Sequence, residues 1–268
     1  MSRARNAFTH PRLVDTEFWI TRLRRNDLHT LVRRYLPARD AVVLDFGARQ
    51  APYRPLFDGR AARFLTADLI NGHAPDAHDV VIEPDGRLRH PDASVDVVLS
   101  LQVLEHVADT QRYLQEARRV LKPGGLLWVT THGMWPYHPA PDDYHRWTQA
   151  GLRRLLEPYF EIEEVDALMG APAYAVMIYQ QWLWDASLKL NALQSNALNR
   201  LTRSQRWGKA GDPSQRIRGR YLYAGSVLAN VLAVPLNVII AGLDTVTPLS
   251  RKRGEAAVFR VAARRRES

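Results

Sequence analysis

Apolar positions along this chain follow two rhythms that alternate over its first two thirds. Phe18, Leu23, Leu28, Leu31, Val32 and Leu36 recur at helical spacing, which predicts an amphipathic leading helix over residues 17–36, stopped by Pro37. Four short apolar runs follow: AVVLDFG at 41–47, FLTADL at 64–69, HDVVIEPDG at 78–86 and SVDVVLSL at 94–101. Each is largely apolar and ends near a polar residue or glycine, the pattern of a buried parallel strand. The helical rhythm returns at DTQRYLQEARRVL (109–121), with Asp109 placed to cap its start and Lys122-Pro123-Gly124-Gly125 placed to turn it sharply into a fifth strand, LLWVTT (126–131). A second amphipathic helix, TQAGLRRLLEPYF (148–160), leads into FEIEEVDAL (160–168), which alternates like a half-exposed strand.

Strands alternating with helices imply an α/β fold: a Rossmann-like, doubly wound, mostly parallel sheet covered on both faces. In such sheets ligands bind beyond the carboxyl ends of the strands, near the switch in strand order. Here those ends are Asp45–Gly47, Asp68, Asp85 and Leu101–Gln102, far apart in sequence but gathered by the sheet. The last third is organised differently. Residues 171–184 are aromatic and apolar, 191–220 polar and basic, and 221–243 uncharged, before AVFRVAAR (257–264) reads as a final strand. The expected organisation is a leading helical segment (1–37), a core (38–170), a helical, apolar and basic insertion before the last strand (171–255), and a final strand with a basic tail (256–268).

Charge sharpens this division. Residues 1–64 carry 13 Lys/Arg against 6 Asp/Glu, residues 65–170 carry 9 against 17, and residues 171–268 carry 15 against 5. Two basic ends around an acidic middle suit an anionic partner such as a lipid surface, a phosphorylated substrate or nucleic acid, although an Arg-rich composition alone also produces such a balance. Nucleic acid is the weakest of these, because the basic regions contain no recognisable nucleic-acid-binding module. The chain has no cysteine, and His10, His29, His73 and His78 lack metal-ligand spacing, so neither a disulfide framework nor a structural metal is expected. No signal peptide stands at residues 1–10, and a cytoplasmic protein is expected. The uncharged stretch 221–243 is long enough to span a bilayer. Against a span, Asn230, Asn237 and Asp244 recur every seven residues on one face, beside Ala233 and Ala241, Pro235 interrupts the segment, and the chain must return to the sheet. That leaves packing on the domain, a homodimer interface, or a helix lying in a membrane interface with Arg216, Arg218, Arg220 and 251–253 meeting acidic headgroups.

Taken in order, VLDFG at 43–47, Asp68 after the second strand, DASVDVVLSLQVLEHV at 92–107 and RRVLKPGGLLWVTT at 118–131 resemble the class I S-adenosylmethionine-dependent methyltransferases, in the group marked by E-H-V and K-P-G-G motifs. The likeness continues through HGMWPYHPAPDDYHRWT at 132–148 and covers roughly residues 38–168. It implies S-adenosylmethionine as cofactor. Gly47 would pass close to its methionine part and Asp45 would help hold its ammonium through the loop. Asp68, 23 residues beyond Asp45, would accept hydrogen bonds from both ribose hydroxyls. Asp85 and Gly86 would meet the adenine edge, and Leu101 and Gln102 would line the same pocket. The loop departs from the family pattern, since Gly47-Ala48-Arg49-Gln50-Ala51 lacks the second and third glycines. Lacking them restricts the loop to conformations that side chains tolerate, and Arg49 would face the cofactor's carboxylate.

Methyl transfer from a sulfonium is an in-line displacement, so the protein aligns the acceptor and, where required, removes its proton. His106, His132, His138, Asp143, Tyr144, His145 and Arg146 follow the fourth and fifth strands and are the candidates. His138 is the expected base, Tyr144 and Arg146 the groups that position the acceptor, and His106 the neighbour of Glu105. The expected acceptor is a small molecule, a saccharide or a lipid-linked compound. The competing class is a non-catalytic scaffold that keeps the fold with Arg49 in the loop. A nicotinamide-dependent dehydrogenase fits poorly, because its phosphate loop needs the missing glycines.

Overall fold

The computed structural model describes residues 6–36, 40–69, 78–139, 142–201 and 227–267, with side chains excepted at 188–201 and 227–231. Pro37, Arg216, Arg218, Arg220 and the side chain of Asn230, to which the sequence assigned roles, lie outside these. The chain divides into two compact units. One comprises Met1–Pro11, Ile20–Ala171 and Thr247–Ser268, and the other Arg12–Trp19 and Pro172–Val246.

The first unit is built on a seven-stranded sheet. Its strands are β1 (Val42–Phe46), β2 (Arg63–Asp68), β3 (Val80–Val81), β4 (Val95–Leu101), β5 (Leu121–His132), β6 (Phe160–Gly170) and β7 (Ala256–Arg265), in the order β3-β2-β1-β4-β5-β7-β6. Strands β1 to β5 run parallel, while β7 enters antiparallel between β5 and β6. The chain leaves β1 toward β2 on one side and resumes with β4 on the other, which makes the carboxyl ends of β1 and β4 the switch point. Each face is covered. Leu28, Leu31 and Val32 of helix α1 (Phe18–Arg34) pack with Val43, Val97, Leu99, Leu126 and Trp128 on one side. Leu114, Ala117 and Val120 of α2 (Thr110–Val120) and Leu152 and Leu156 of α3 (Gln149–Leu156) pack with Leu44, Val98, Leu127, Val129 and Val261 on the other.

Local chemistry sets the element ends. The Asp109 carboxylate accepts from the Arg112 amide (2.9 Å) and the Thr148 hydroxyl from the Gly151 amide (3.0 Å), capping α2 and α3. Two boundaries differ from the sequence expectation. Helix α2 ends at Val120, and Lys122–Gly125 bulge out within β5, so that Val95 faces Leu121 while Val97 faces Leu126. The third strand is only Val80–Val81, because Pro84 and Gly86 (φ 82°) turn the chain back at once and Ile82 bridges antiparallel to Leu88.

The second unit pairs α4 (Ala171–Leu201) with α5 (Val227–Val246) and the 12–19 segment. On α5 the residues facing inward are Ala233, Asn237, Ile240 and Asp244. The Asn237 amide donates to the Leu13 (2.7 Å) and Asp15 (2.9 Å) carbonyls, and Asp244 accepts from Trp19 Nε1 (3.0 Å). Gln180 of α4 donates to the Ala233 carbonyl (3.4 Å). Asn237 and Asp244, two of the polar positions spaced by seven, therefore lie on the buried face of this helix. Among the described residues no helix is long and apolar enough to cross a membrane. Between these elements and β7 lies a short helix, α6 (Pro248–Lys252), which packs on β6 in the first unit.

Candidate functional site

Two carboxylates flank the loop that leaves β1. Asp45 is buried at the end of β1 and Asp68 ends β2, where Asp45 pairs in register with Thr66 and Phe46 with Ala67. No donor among the described residues meets the Asp45 carboxylate, and burial, then the nearby negative charge of Asp68, push its pKa up to about 7. Phe46 stacks on Tyr113 (4.1 Å between ring centroids), whose hydroxyl donates to the Phe46 carbonyl and shares a hydrogen bond with Ser100 Oγ, each at 2.9 Å. This strut fixes the ends of β1 and β4 against one another.

The loop itself resolves the missing glycines. Gly47 has φ 95°, and a Cβ there would lie 2.5 Å from a Val103 methyl, so both its conformation and the space beside it demand glycine. Arg49 (φ 47°) and Ala51 (φ 45°) also adopt left-handed backbone, the conformation the sequence led us to think their side chains exclude. The Asp68 carboxylate holds it, accepting from the Arg49 amide at 2.5 Å and from the Leu69 amide at 2.7 Å. Left-handed geometry costs an ordinary residue roughly 1–2 kcal/mol, a strain the charged acceptor offsets. Gly47→Ala should cost about 2 kcal/mol from the same backbone cost plus the clash with Val103, read as a lowered urea midpoint with the m-value unchanged.

The remaining cofactor candidates take different positions. Gln102, just past β4, is left-handed (φ 59°), and its side-chain oxygen accepts from Arg24 (2.9 Å). Leu101 is half-buried and packs on the α1 side of the sheet. Asp85 is exposed, accepts from the Arg87 amide (3.0 Å) and pairs with Arg112 of α2 (3.1 Å), while Gly86 supplies the positive φ of that turn.

At the ends of β4 and β5 a second polar cluster forms. Glu105, fully buried in a short 3-10 turn (Leu104–His106), accepts from the Thr131 hydroxyl (2.8 Å), and its other oxygen lies 3.1 Å from His132 Nδ1. Burial raises the Glu105 pKa. Burial, then the Arg24 charge, hold His132 neutral far below its usual range. The three rings of His106, His138 and His132 are neighbours, His138 lying 5.0 Å from His106 and 4.8 Å from His132 between centroids, and His132 stacks on Trp135 (4.6 Å, 4° between planes). His138 is half-exposed. Its backbone amide donates to Asp143 (2.8 Å), its Nδ1 is 3.5 Å from the same carboxylate, and burial, then His106, lower its pKa.

Arg146 differs from expectation. Its guanidinium donates to the Trp135, Pro136 and His145 carbonyls and, in bidentate fashion, to Asp143, whose pKa falls well below the carboxylate range through that contact. These bonds use all five of its N–H donors inside the 135–146 loop, so none is left to hold an acceptor. Tyr144 is exposed at its ring, while its backbone amide and that of His145 donate to the Glu105 carbonyl (2.8 and 3.2 Å), tying the loop to the turn after β4. The sequence also concealed Arg24. It is buried on α1, donates to Gln102 and lies 5.4 Å from the Trp135 ring centroid, with its Nε unpartnered. The available signal was a charged residue falling at Ile20+4 and Leu28−4, on the apolar face of the leading helix. Among the described residues no three His, Asp or Glu side chains gather to hold a metal.

Comparison with known proteins places these features. Residues 44–129, from β1 to β5, match a family model described as a methyltransferase domain. A probable S-adenosylmethionine-dependent methyltransferase of Mycolicibacterium smegmatis is 32% identical over 173 residues, which is 58% of this chain and 64% of that protein. A thiol S-methyltransferase of Homo sapiens is 37% identical over 76 residues, 28% of this chain and 31% of that protein. The chain thus spans less than two thirds of the length of the curated relatives it matches. Among solved structures, the cyclase SpnF superposes with a TM-score of 0.54 at 16% identity over 94% of this chain and 83% of that one, a likeness of fold. The strand order, the acidic ends of β1 and β2, the methyltransferase-domain match over residues 44–129 and the similar relatives together support a domain of the class I S-adenosylmethionine-dependent methyltransferase kind.

Proposed function

We propose that the chain transfers a methyl group from S-adenosylmethionine to a small-molecule, saccharide or lipid-linked acceptor. The observation that carries this reading is Asp45, a buried carboxylate that meets no donor among the described residues, beside a second carboxylate at the switch point of the sheet. Such a pair attracts cations and hydrogen-bond donors and repels anions, and is suited to a ligand that brings an ammonium and paired hydroxyls. S-adenosylmethionine has both, and when bound it supplies a methyl group already activated on sulfur. Asp45 would receive the ammonium and Asp68 the ribose hydroxyls, with the left-handed Arg49 and Ala51 keeping the loop clear of both.

On the acceptor side, His138 is the base. Its lowered pKa leaves a lone pair available at neutral pH, and Asp143 orients the ring. Arg146 sets the loop that carries His138 rather than touching the acceptor. Glu105 and neutral His132 fix the floor beneath it. Relatives are named as a thiol S-methyltransferase and a ubiquinone biosynthesis O-methyltransferase, a difference in acceptor that suits one cofactor half joined to variable walls.

Calorimetric titration with S-adenosylmethionine between pH 5.5 and 9 tests the reading. The folded, cofactor-free Asp45 ionises near 7, so below that pH binding must also remove its proton, and affinity should fall by up to about tenfold per pH unit. Above about 8 affinity should fall again as the ligand's α-amino group loses its proton. Asp45→Asn should abolish the acid limb alone. Absence of binding by the folded protein at every pH would instead support the scaffold alternative.

A further inference from the structure

Helix α5 is inverted relative to an ordinary surface helix. Its polar side chains Asn237 and Asp244 point inward and are hydrogen-bonded, while its outward face is apolar. Leu232, Val238, Ile239 and Val246 are 38%, 57%, 48% and 72% exposed, and Pro235 and Gly242 complete the same stripe. Positions 232, 235, 239, 242 and 246 follow one another at helical intervals of three and four, so the stripe is continuous. No charged side chain interrupts it, and the exposed Thr245 beside it turns its hydroxyl back to the Ala241 carbonyl (2.7 Å). Isolated exposed apolar residues are ordinary, but a stripe of this length signals a contact.

The sequence on either side says what kind. Residues 202–220 hold Arg203, Arg206, Lys209, Arg216, Arg218 and Arg220 against the single acid Asp212, and Arg251, Lys252 and Arg253 follow the helix. A helix whose one charged residue, Asp244, is buried, and whose outer face is apolar between basic stretches, matches the interface of an anionic bilayer, where apolar side chains enter the acyl boundary and basic ones stay among the headgroups. A second copy of this chain fits less well. It carries the same formal net charge of +9 and would bring like-charged flanks together.

We propose that α5 docks the protein flat on an anionic membrane surface through Leu232, Val238, Ile239 and Val246. The helix does not span the bilayer: its buried face is committed to Asn237 and Asp244 contacts, so only one side is available to lipid. This inference needs neither cofactor nor methyl transfer, and its failure would leave the proposed activity standing.

The test is co-sedimentation of the full chain with vesicles of phosphatidylcholine alone and with 30% phosphatidylglycerol, alongside V238S/I239S/V246S. These positions are exposed, so the variant should fold, checked by circular dichroism and unchanged S-adenosylhomocysteine binding. The expected result is binding to the anionic vesicles that weakens in high salt and falls at least about tenfold in the variant. Equal binding by both proteins would overturn the assignment, as would no binding by the wild type. A wild-type dimer that the variant converts to monomer, without vesicle binding, would give the stripe to a second copy.

Discussion

Asp68→Ala should weaken S-adenosylhomocysteine binding by about 100-fold while leaving the protein folded. In the free protein each carboxylate oxygen already accepts one backbone amide, from Arg49 and from Leu69, and each has a second lone pair to offer. Two adjacent ribose hydroxyls meet that requirement, and a hydrogen bond to a charged group is worth about 1.5–3 kcal/mol. Alanine removes both acceptors and also frees the Arg49 amide, so the left-handed turn loses its tether. A total near 2.7 kcal/mol corresponds to about two orders of magnitude in affinity. Asp68→Asn keeps one acceptor oxygen but no charge, and should fall between the two. The variant carries a second signature. Asp68 is one of the two causes that raise the Asp45 pKa, so the acid limb of the affinity profile should move to lower pH in Asp68→Ala. A calorimetric series showing unchanged affinity would sink the assignment of the ribose to Asp68 and, with it, the order of cofactor groups along the loop.

How far the sequence reaches is instructive at this loop. The apolar runs ending in Asp45, Asp68 and Leu101 marked the strands because a buried parallel strand needs apolar side chains on both faces, a local and visible requirement. The backbone of Arg49 and Ala51 was not visible, since sterics alone argue against left-handed geometry there. What permits it is a carboxylate 19 residues away, a tertiary contact that overrides local preference. Arg24 and Asp27 were hidden for the opposite reason. They sit on the buried face of α1 among Ile20, Leu28 and Leu31, but a charged residue at such a position means something only when its partner across the sheet is known. Arg146 carried the right chemistry for an acceptor clamp, and only the geometry shows that its own loop consumes every donor.

The partner of Asp27 is Arg260, and its removal should have the largest effect on stability. Arg260 is buried on β7, with Nε 3.3 Å from Asp27, a terminal nitrogen 2.5 Å from Glu164 and a further contact to Asp166, and its guanidinium lies 4.8 Å from the Trp128 ring centroid. Trp128 in turn donates to Asp27 at 3.0 Å. One cation thus serves carboxylates on α1 and β6 at once. Arg260→Ala leaves Asp27 buried without its counter-charge, and breaking a buried pair from one side costs about 3–5 kcal/mol. Thermal unfolding should begin about 10 °C lower. The loss should also depend on pH in a defined direction. Burial already raises the Asp27 pKa to about 6 against the lowering effect of Arg260. Without that arginine the folded-state pKa rises further, so the native state holds a proton that the unfolded state releases from about pH 4 upward. Stability then falls as pH rises through that window, and the penalty of Arg260→Ala should be larger at pH 8 than at pH 5. Asp27→Asn in the same background removes the ionisable group and should erase most of that difference. A penalty of equal size at both pH values would mean that lost packing on Trp128, not the stranded carboxylate, accounts for the instability.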